Sequence, residues 1–218
     1  LAHEIKNPLG GIRGAAQLLD RALTSPELKD YTRIIIEEAD RLRNLLDRML
    51  GPNKVTGRAQ TNIHEVLERV CNLVDVESHG QVRLVRDYDP SIPEVNAHKE
   101  QLIQALLNVV RNAAQALTAA KGGRARGGTI TLRTRALRQA TLLRQRHKLA
   151  LELQVIDDGP GVPEDIRERI FNPLVSGRDG GSGLGLSLAQ TFIHYHRGVI
   201  ECESRPGRTV FRIILPLA

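Results

Sequence analysis

Residues 148–161 read KLALELQVIDDGPG. A mostly apolar run ends abruptly in two carboxylates and two glycines. The run predicts a strand buried on at least one face. Asp157 then stands at the strand's end, with Gly159 and Gly161 behind it. A carboxylate so placed accepts a hydrogen bond from a ligand amine, and the glycines let a ligand approach the backbone. The same letters also suit an ordinary turn capped by an Asp side chain.

Working outward, the chain after this strand predicts a short helix over 163–171 and a loop over 172–182 (NPLVSGRDGGS). The glycine cluster Gly180-Gly181-Ser182-Gly183-Leu184-Gly185-Leu186 opens a helix over 183–197. Bare backbone N–H groups and the positive end of a helix favour phosphate there. No Gly-Lys-Ser/Thr follows, so this is not a Walker A loop. Strands follow at 199–204 and 208–215.

Upstream, 128–138 predicts a strand joined to 148–157 by a polar, basic turn. A long amphipathic helix covers 98–120. It holds Asn108 and Asn112 four residues apart, hence on one face, between Leu106, Leu107, Val109 and Val110. Asn oxygens are hard ligands suited to Mg²⁺. Before it come a helix over 62–78, a strand over 82–87 and a loop marked by Pro90 and Pro93. Helices and strands mix without regular βαβ alternation, which predicts an α+β sandwich.

The first fifty residues differ. Ile5, Leu9, Ile12, Ala16, Leu19 and Leu23 step by four and three. So do Leu28, Thr32, Ile35, Ala39, Leu42, Leu46 and Met49 after a break at Ser25-Pro26-Glu27, which is a helix-start signal. The pattern predicts an antiparallel hairpin of two helices, each with one narrow apolar seam. Two helices bury two seams poorly, so a homodimer forming a four-helix bundle is the economical arrangement. Three regions follow: a helical hairpin over 1–51, a linker over 52–60 and a second domain over 61–218.

The chain is basic, with a formal net charge of +6, and only 3% of its 218 residues are aromatic. Residues 121–148 hold nine Lys/Arg and no acid. They read as a solvated hairpin, with an acidic protein partner as second choice. The stretch has no aromatic residue for base stacking, which speaks against nucleic acid. No apolar run is long enough to span a bilayer. Cys71 and Cys202 form no CxxC, so neither a zinc pattern nor a disulfide framework is predicted, and a cytoplasmic setting fits. His194 and His196, two apart on a helix, diverge and predict no metal site. The start at Leu1, already inside a helical pattern, reads as a fragment.

In order, HEIKNP, NVVRNA, DDGPG, Phe171 and GSGLGL resemble the H, N, G1, F and G2 boxes of the sensor histidine kinases of two-component systems. HEIKNPLGGIRGAAQLL, RDYDPSIPEV and FNPLVSGRDGGSGLGLSLA resemble the nitrogen-regulation (NtrB) type most closely. The resemblance implies an ATP-binding domain of the GHKL (Bergerat) fold behind the dimeric bundle. It implies that His3 is autophosphorylated, with Glu4 taking up the imidazole proton. Asn108 and Asn112 would lie at the phosphates, Asn112 as the Mg²⁺ ligand. Asp157 would contact the adenine amine, with Gly159 and Gly161 beside the base. Phe171 would hinge a lid over 172–182, and Arg178, Gly181, Ser182, Gly183, Leu184 and Gly185 would surround the triphosphate. The pattern Glu4-Ile5-Lys6-Asn7 implies phosphatase activity toward a phosphorylated partner, with Asn7 orienting water. Implied partners are an NtrC-like response-regulator receiver domain and a PII-type signal protein. Ser182 stands where Thr is common, and Gln115 where Lys is often found. A degenerate kinase serving as an ATP-binding scaffold is the alternative reading. Chaperone and topoisomerase ATPases of the same fold lack the hairpin.

Overall fold

A computed structural model describes residues 2–50, 57–119, 127–177 and 181–217, without the side chains of residues 2–6, 41 and 43–50. The chain divides into two compact units, Leu1–Val55 and Thr56–Ala218.

The first unit is a helical hairpin of α1 (Ala2–Ala22) and α2 (Pro26–Leu50). The heptad seam splits into two alternating rows. Ala16, Thr32 and Ala39 are buried and Leu9 and Leu23 half-buried, so this row closes the hairpin. The row between them stays open: Ile12 is 52% exposed, Leu19 51%, Leu28 47%, Ile35 43% and Leu42 46%. Polar clasps flank the closing row. The Thr32 hydroxyl donates to Asp20 at 2.6 Å, and Arg13 Nε donates to Asp40 at 2.7 Å.

The second unit contains β1 (Ala59–Thr61), α3 (Ile63–Glu77), β2 (Arg83–Asp87), β3 (Val95–Ala97), α4 (Lys99–Ala119), β4 (Thr129–Leu142), β5 (Gln145–Asp157), α5 (Gly185–Tyr195), β6 (Val199–Arg205) and β7 (Arg208–Pro216). Five strands form one sheet in the order β2-β4-β5-β7-β6. Only β2 and β4 run parallel; the other pairs are antiparallel. β1 and β3 form a separate three-pair ladder. The core lies between helices and sheet. Val66, Leu67, Val70 and Val74 of α3, Leu102, Leu106, Val109 and Val110 of α4, and Ala189 and Ile193 of α5 meet Leu151, Leu153, Val155, Phe211 and Ile213. Those strand residues alternate along their strands and so share one face. The ion pair of Arg212 with Glu152 belongs to the alternate positions.

The structure departs from the sequence expectation in three places. The 128–138 and 148–157 strands run on to meet at a two-residue turn, Leu143-Arg144, with φ +47° and +65°. That turn geometry usually draws Gly or Asn, so Leu-Arg gave no signal. The helix expected over 163–171 is reduced to one 3₁₀ turn, Arg167–Arg169. β1 and β3, three residues each, fall in segments read as linker and loop; they are too short to show a period.

Candidate functional site

One row of α4 organises the second unit. Asn108, Asn112 and Ala116 follow at four-residue intervals and lie on one face, about 12 Å from end to end. At the first end sits Gly185, the opening residue of α5. A Cβ built on it would lie 3.8 Å from Asn108 Cβ and 3.9 Å from Asn108 Oδ1. At the other end sits Gly159. A Cβ there would lie 3.8 Å from the Ala116 Cβ, 3.4 Å from Leu117 and 2.7 Å from Asp157 Oδ1. The last distance is inside van der Waals contact, so a side chain here would have to push the Asp157 carboxylate aside.

Asp157 ends β5 and is 3% exposed. Its Oδ1 accepts the Gly159 N–H at 3.0 Å. A buried carboxylate is costly unless hydrogen-bonded. Its charge and burial push the Cys202 thiol up to about 12, burial being the larger cause. Across the sheet Asp157 pairs with Thr209, also buried, whose hydroxyl lies 3.1 Å from Ser204 Oγ. Ser204 Oγ in turn accepts the Val162 N–H at 2.7 Å, next to Gly161. Thr209 and Ser204 were not singled out in the sequence; a buried Thr beside a strand-end Asp shows only once register is known.

The described residues on either side of 178–180 meet through their backbones. Phe171 is half-buried and meets Phe211 edge-to-face, centroids 6.4 Å apart. Leu174 N–H donates to Gly183 O at 3.0 Å. Gly183 has φ +65°. Leu184 is buried, so its side chain belongs to the interior. Gly181 and Ser182 are exposed. Arg178 lies outside the described residues.

Asn108 Nδ2 is buried and has no hydrogen-bond partner among the described residues. Its Oδ1 receives a long contact, 3.5 Å, from Gln104. A buried amide donor without an acceptor is an unusual expense in a folded core. It fits an anionic ligand in front of α4, at the end where Gly185 and the start of α5 lie.

In the first unit Asn7 is exposed on α1. His3 and Glu4 belong to the same helix, but their side chains lie outside the described residues. A Cβ at Gly10, Gly11 or Gly14 would meet nothing within 4 Å. The hairpin's own packing therefore does not require these glycines.

The comparisons with known proteins match each unit. Residues 97–218 match the histidine kinase-, DNA gyrase B-, and HSP90-like ATPases, and residues 1–57 the His kinase A (phospho-acceptor) domain. The chain belongs to the sensor histidine kinase family. It is 54% identical over 217 residues to the sensory histidine kinase/phosphatase NtrB of Salmonella typhimurium, and 52% identical over 217 residues to that of Vibrio alginolyticus. The match takes in 100% of this chain but 60% and 61% of those relatives, so the chain spans about three-fifths of their length. Among solved structures, full-length ShkA in complex with AMPPNP superposes with TM-score 0.67 at 25% identity, covering 100% of this chain and 45% of that one. Histidine kinase ThkA in complex with the response regulator TrrA gives 0.60 at 26% identity, covering 100% and 60%. Among the described residues no helix is long and apolar enough to cross a membrane.

Proposed function

We propose that this chain is the transmitter of a nitrogen-regulation kinase/phosphatase: it autophosphorylates His3 from ATP, passes the phosphoryl group to an aspartate of an NtrC-like receiver domain, and dephosphorylates that receiver. The observation that carries the ATP reading is the α4 row, which runs from Gly185 and the unpartnered Asn108 amide to Gly159 and Asp157. Its length suits an extended nucleoside triphosphate, base at Asp157 and phosphates at the start of α5. Asp157 accepts from the adenine amine, and Asn108 donates to a phosphate oxygen. Asn112 is the residue we assign to Mg²⁺, which when bound offsets charge on the transferring phosphoryl group.

One imidazole nitrogen of His3 attacks the γ-phosphorus while Glu4 takes the proton from the other, and ADP leaves. Asn7, one turn on, orients the water that hydrolyses the receiver's phospho-aspartate. The open row Ile12, Leu19, Leu28, Ile35 and Leu42 supports a homodimer with a four-helix core. The relatives' shared name, NtrB, supports the nitrogen-regulation type; a PII-type signal protein as second partner rests on the sequence resemblance alone.

The test is incubation with γ-labelled ATP and Mg²⁺. Acid-labile, base-stable label is expected, and it should vanish in His3→Gln. Full labelling of that variant refutes the assignment. Asn7→Ala should slow receiver dephosphorylation more than autophosphorylation; equal losses would leave Asn7 without a special role.

A further inference from the structure

Far from the α4 row, four side chains gather at one corner of the second unit. Arg58 Nη2 donates to the carbonyl of Tyr195 at 2.6 Å, and its guanidinium lies over the Tyr195 ring, 5.2 Å from the centroid. Tyr195 is the last residue of α5, where carbonyls lack helical partners and a cation is favoured. Next to it His196 is buried. Its Nδ1 lies 2.7 Å from Phe192 O and so carries the proton, leaving Nε2 to accept the His98 N–H at 3.0 Å. His98 directly precedes α4. The His98 ring lies 5.4 Å from Tyr195 and 6.0 Å from His196.

This corner is one end of a strut. α5 runs antiparallel to the first half of α4, with His196 tied to His98 at one end and Gly185 against Asn108 at the other. α5 has eleven residues, about 16 Å of helix without a break. Arg58 adds the chain itself to that strut. It stands directly before β1, which pairs with β3 over three residues, ending at Ala59–Ala97. So short a ladder is marginal by itself. Arg58 is a second anchor, and it fastens the incoming chain to α5.

We propose that Arg58 is a positioning residue for the phosphate end of the nucleotide site. It fixes the segment entering the second unit to the C-terminal end of α5, and α5 carries that constraint to Gly185 and Asn108. The inference rests on the ATP reading above. A rigid helix packed along its length on a second one passes a displacement to its far end instead of absorbing it. The adenine end, at Asp157 on β5 and Gly159 just after it, does not lie on this strut. Loss of Arg58 should therefore act on the phosphates and spare the base.

The experiment measures equilibrium binding of adenosine and of a non-hydrolysable ATP analogue with Mg²⁺ to the full chain, to Arg58→Ala and to Arg58→Lys. In Arg58→Ala the analogue should bind about fivefold more weakly while adenosine changes by less than about twofold. Arg58→Lys, which can still donate to Tyr195 O and sit on the ring, should recover part of the loss. Equal weakening of both ligands would mean that Arg58 only stabilises the fold, and no weakening would mean that it positions nothing; either overturns the proposal. A parent chain that binds the analogue no better than adenosine overturns the ATP reading itself.

Discussion

Gly183 offers a sharp test of the lid. Its φ of +65° lies in the left-handed region, and a Cβ there would stand 2.4 Å from Leu174 C, 2.6 Å from Val175 N and 2.7 Å from Leu174 Cα. All three are backbone atoms, so no side-chain rotation relieves the overlap. In Gly183→Ala the left-handed conformation costs about 1–2 kcal/mol. Separating the two strands of the loop also breaks the Leu174 N–H to Gly183 O bond, 3.0 Å long, worth about 1 kcal/mol. The closed form thus loses about 2–3 kcal/mol, or roughly 30- to 150-fold in population. Gly80 is the control: its φ is +69° and nothing lies within 4 Å of its Cβ position. Gly80→Ala bears the dihedral cost alone, without a backbone overlap. Initial rates of His3 labelling at saturating ATP, with thermal melting of each variant, give the comparison. Gly183→Ala should label at least about tenfold more slowly with a small change in Tm. Gly80→Ala should lower Tm and label normally. If Gly183→Ala labels within about twofold of the parent, the Leu174–Gly183 contact is no part of the reactive form.

Three further outcomes are expected. Ile35→Glu places a charge in the open row of the hairpin, where a second copy would bury about 1.5–3 kcal/mol of apolar contact per side chain; sedimentation should show monomers, and a persisting dimer would refute the two-row reading. Asp157→Asn should weaken adenosine binding at least about tenfold, since the buried acceptor loses its charge; unchanged affinity on titration would refute the adenine assignment. Acid should destabilise the second unit in two stages seen by thermal melting. His64 and His196 are held below their ordinary 6.5 chiefly by burial, so their neutral forms favour folding above that value and the contribution is lost as pH falls through the lowered values. Glu68 and Glu77 are held below the ordinary carboxylate range by hydrogen bonds from Arg86 and Arg111, and that contribution is present above this range and lost as pH falls from it through the lowered values. These pairs are partly exposed, so added salt should blunt the second stage; a flat Tm from neutral pH down to about 4 would refute the first.

What the sequence made legible depended on the distance over which each signal acts. The hairpin was legible because a heptad repeats many times within one helix. The split of its seam became visible only in the structure: the centre of the closing row holds Ala16, Thr32 and Ala39, with Leu9 and Leu23 at its ends, and the open row holds Ile12, Leu19, Leu28, Ile35 and Leu42. Small residues let two helices of one chain approach closely, and large ones stay out for a wider gap to be filled. Local turn chemistry failed where it was not used, as at Leu143-Arg144. The histidines were opaque for a different reason. His64 stacks on Tyr88 and lies 3.1 Å from Thr134 Oγ1, seventy positions away, and His98 meets His196 across ninety-eight. No spacing rule encodes such partners.

The glycines that open α5 show how reading a motif for its ligand can leave its immediate structural cause unseen. Reading GSGLGL as a phosphate cradle explains why backbone N–H groups should be bare at the start of α5. It does not explain why Gly183 must be glycine, because the nearest constraint on its Cβ is the chain's own backbone at Leu174 and Val175. Gly185 is different: its Cβ position faces Asn108 at ordinary contact distance, so an alanine fits the protein and would crowd only what lies in front of it. Two glycines two residues apart therefore serve separate ends, one admitting the backbone of Leu174 and Val175 and one leaving room beside the α4 row. Gly185→Ala should then leave Tm unchanged and weaken the ATP analogue more than adenosine, the reverse of what a packing glycine would do; a lowered Tm with equal loss of both ligands would return Gly185 to the core.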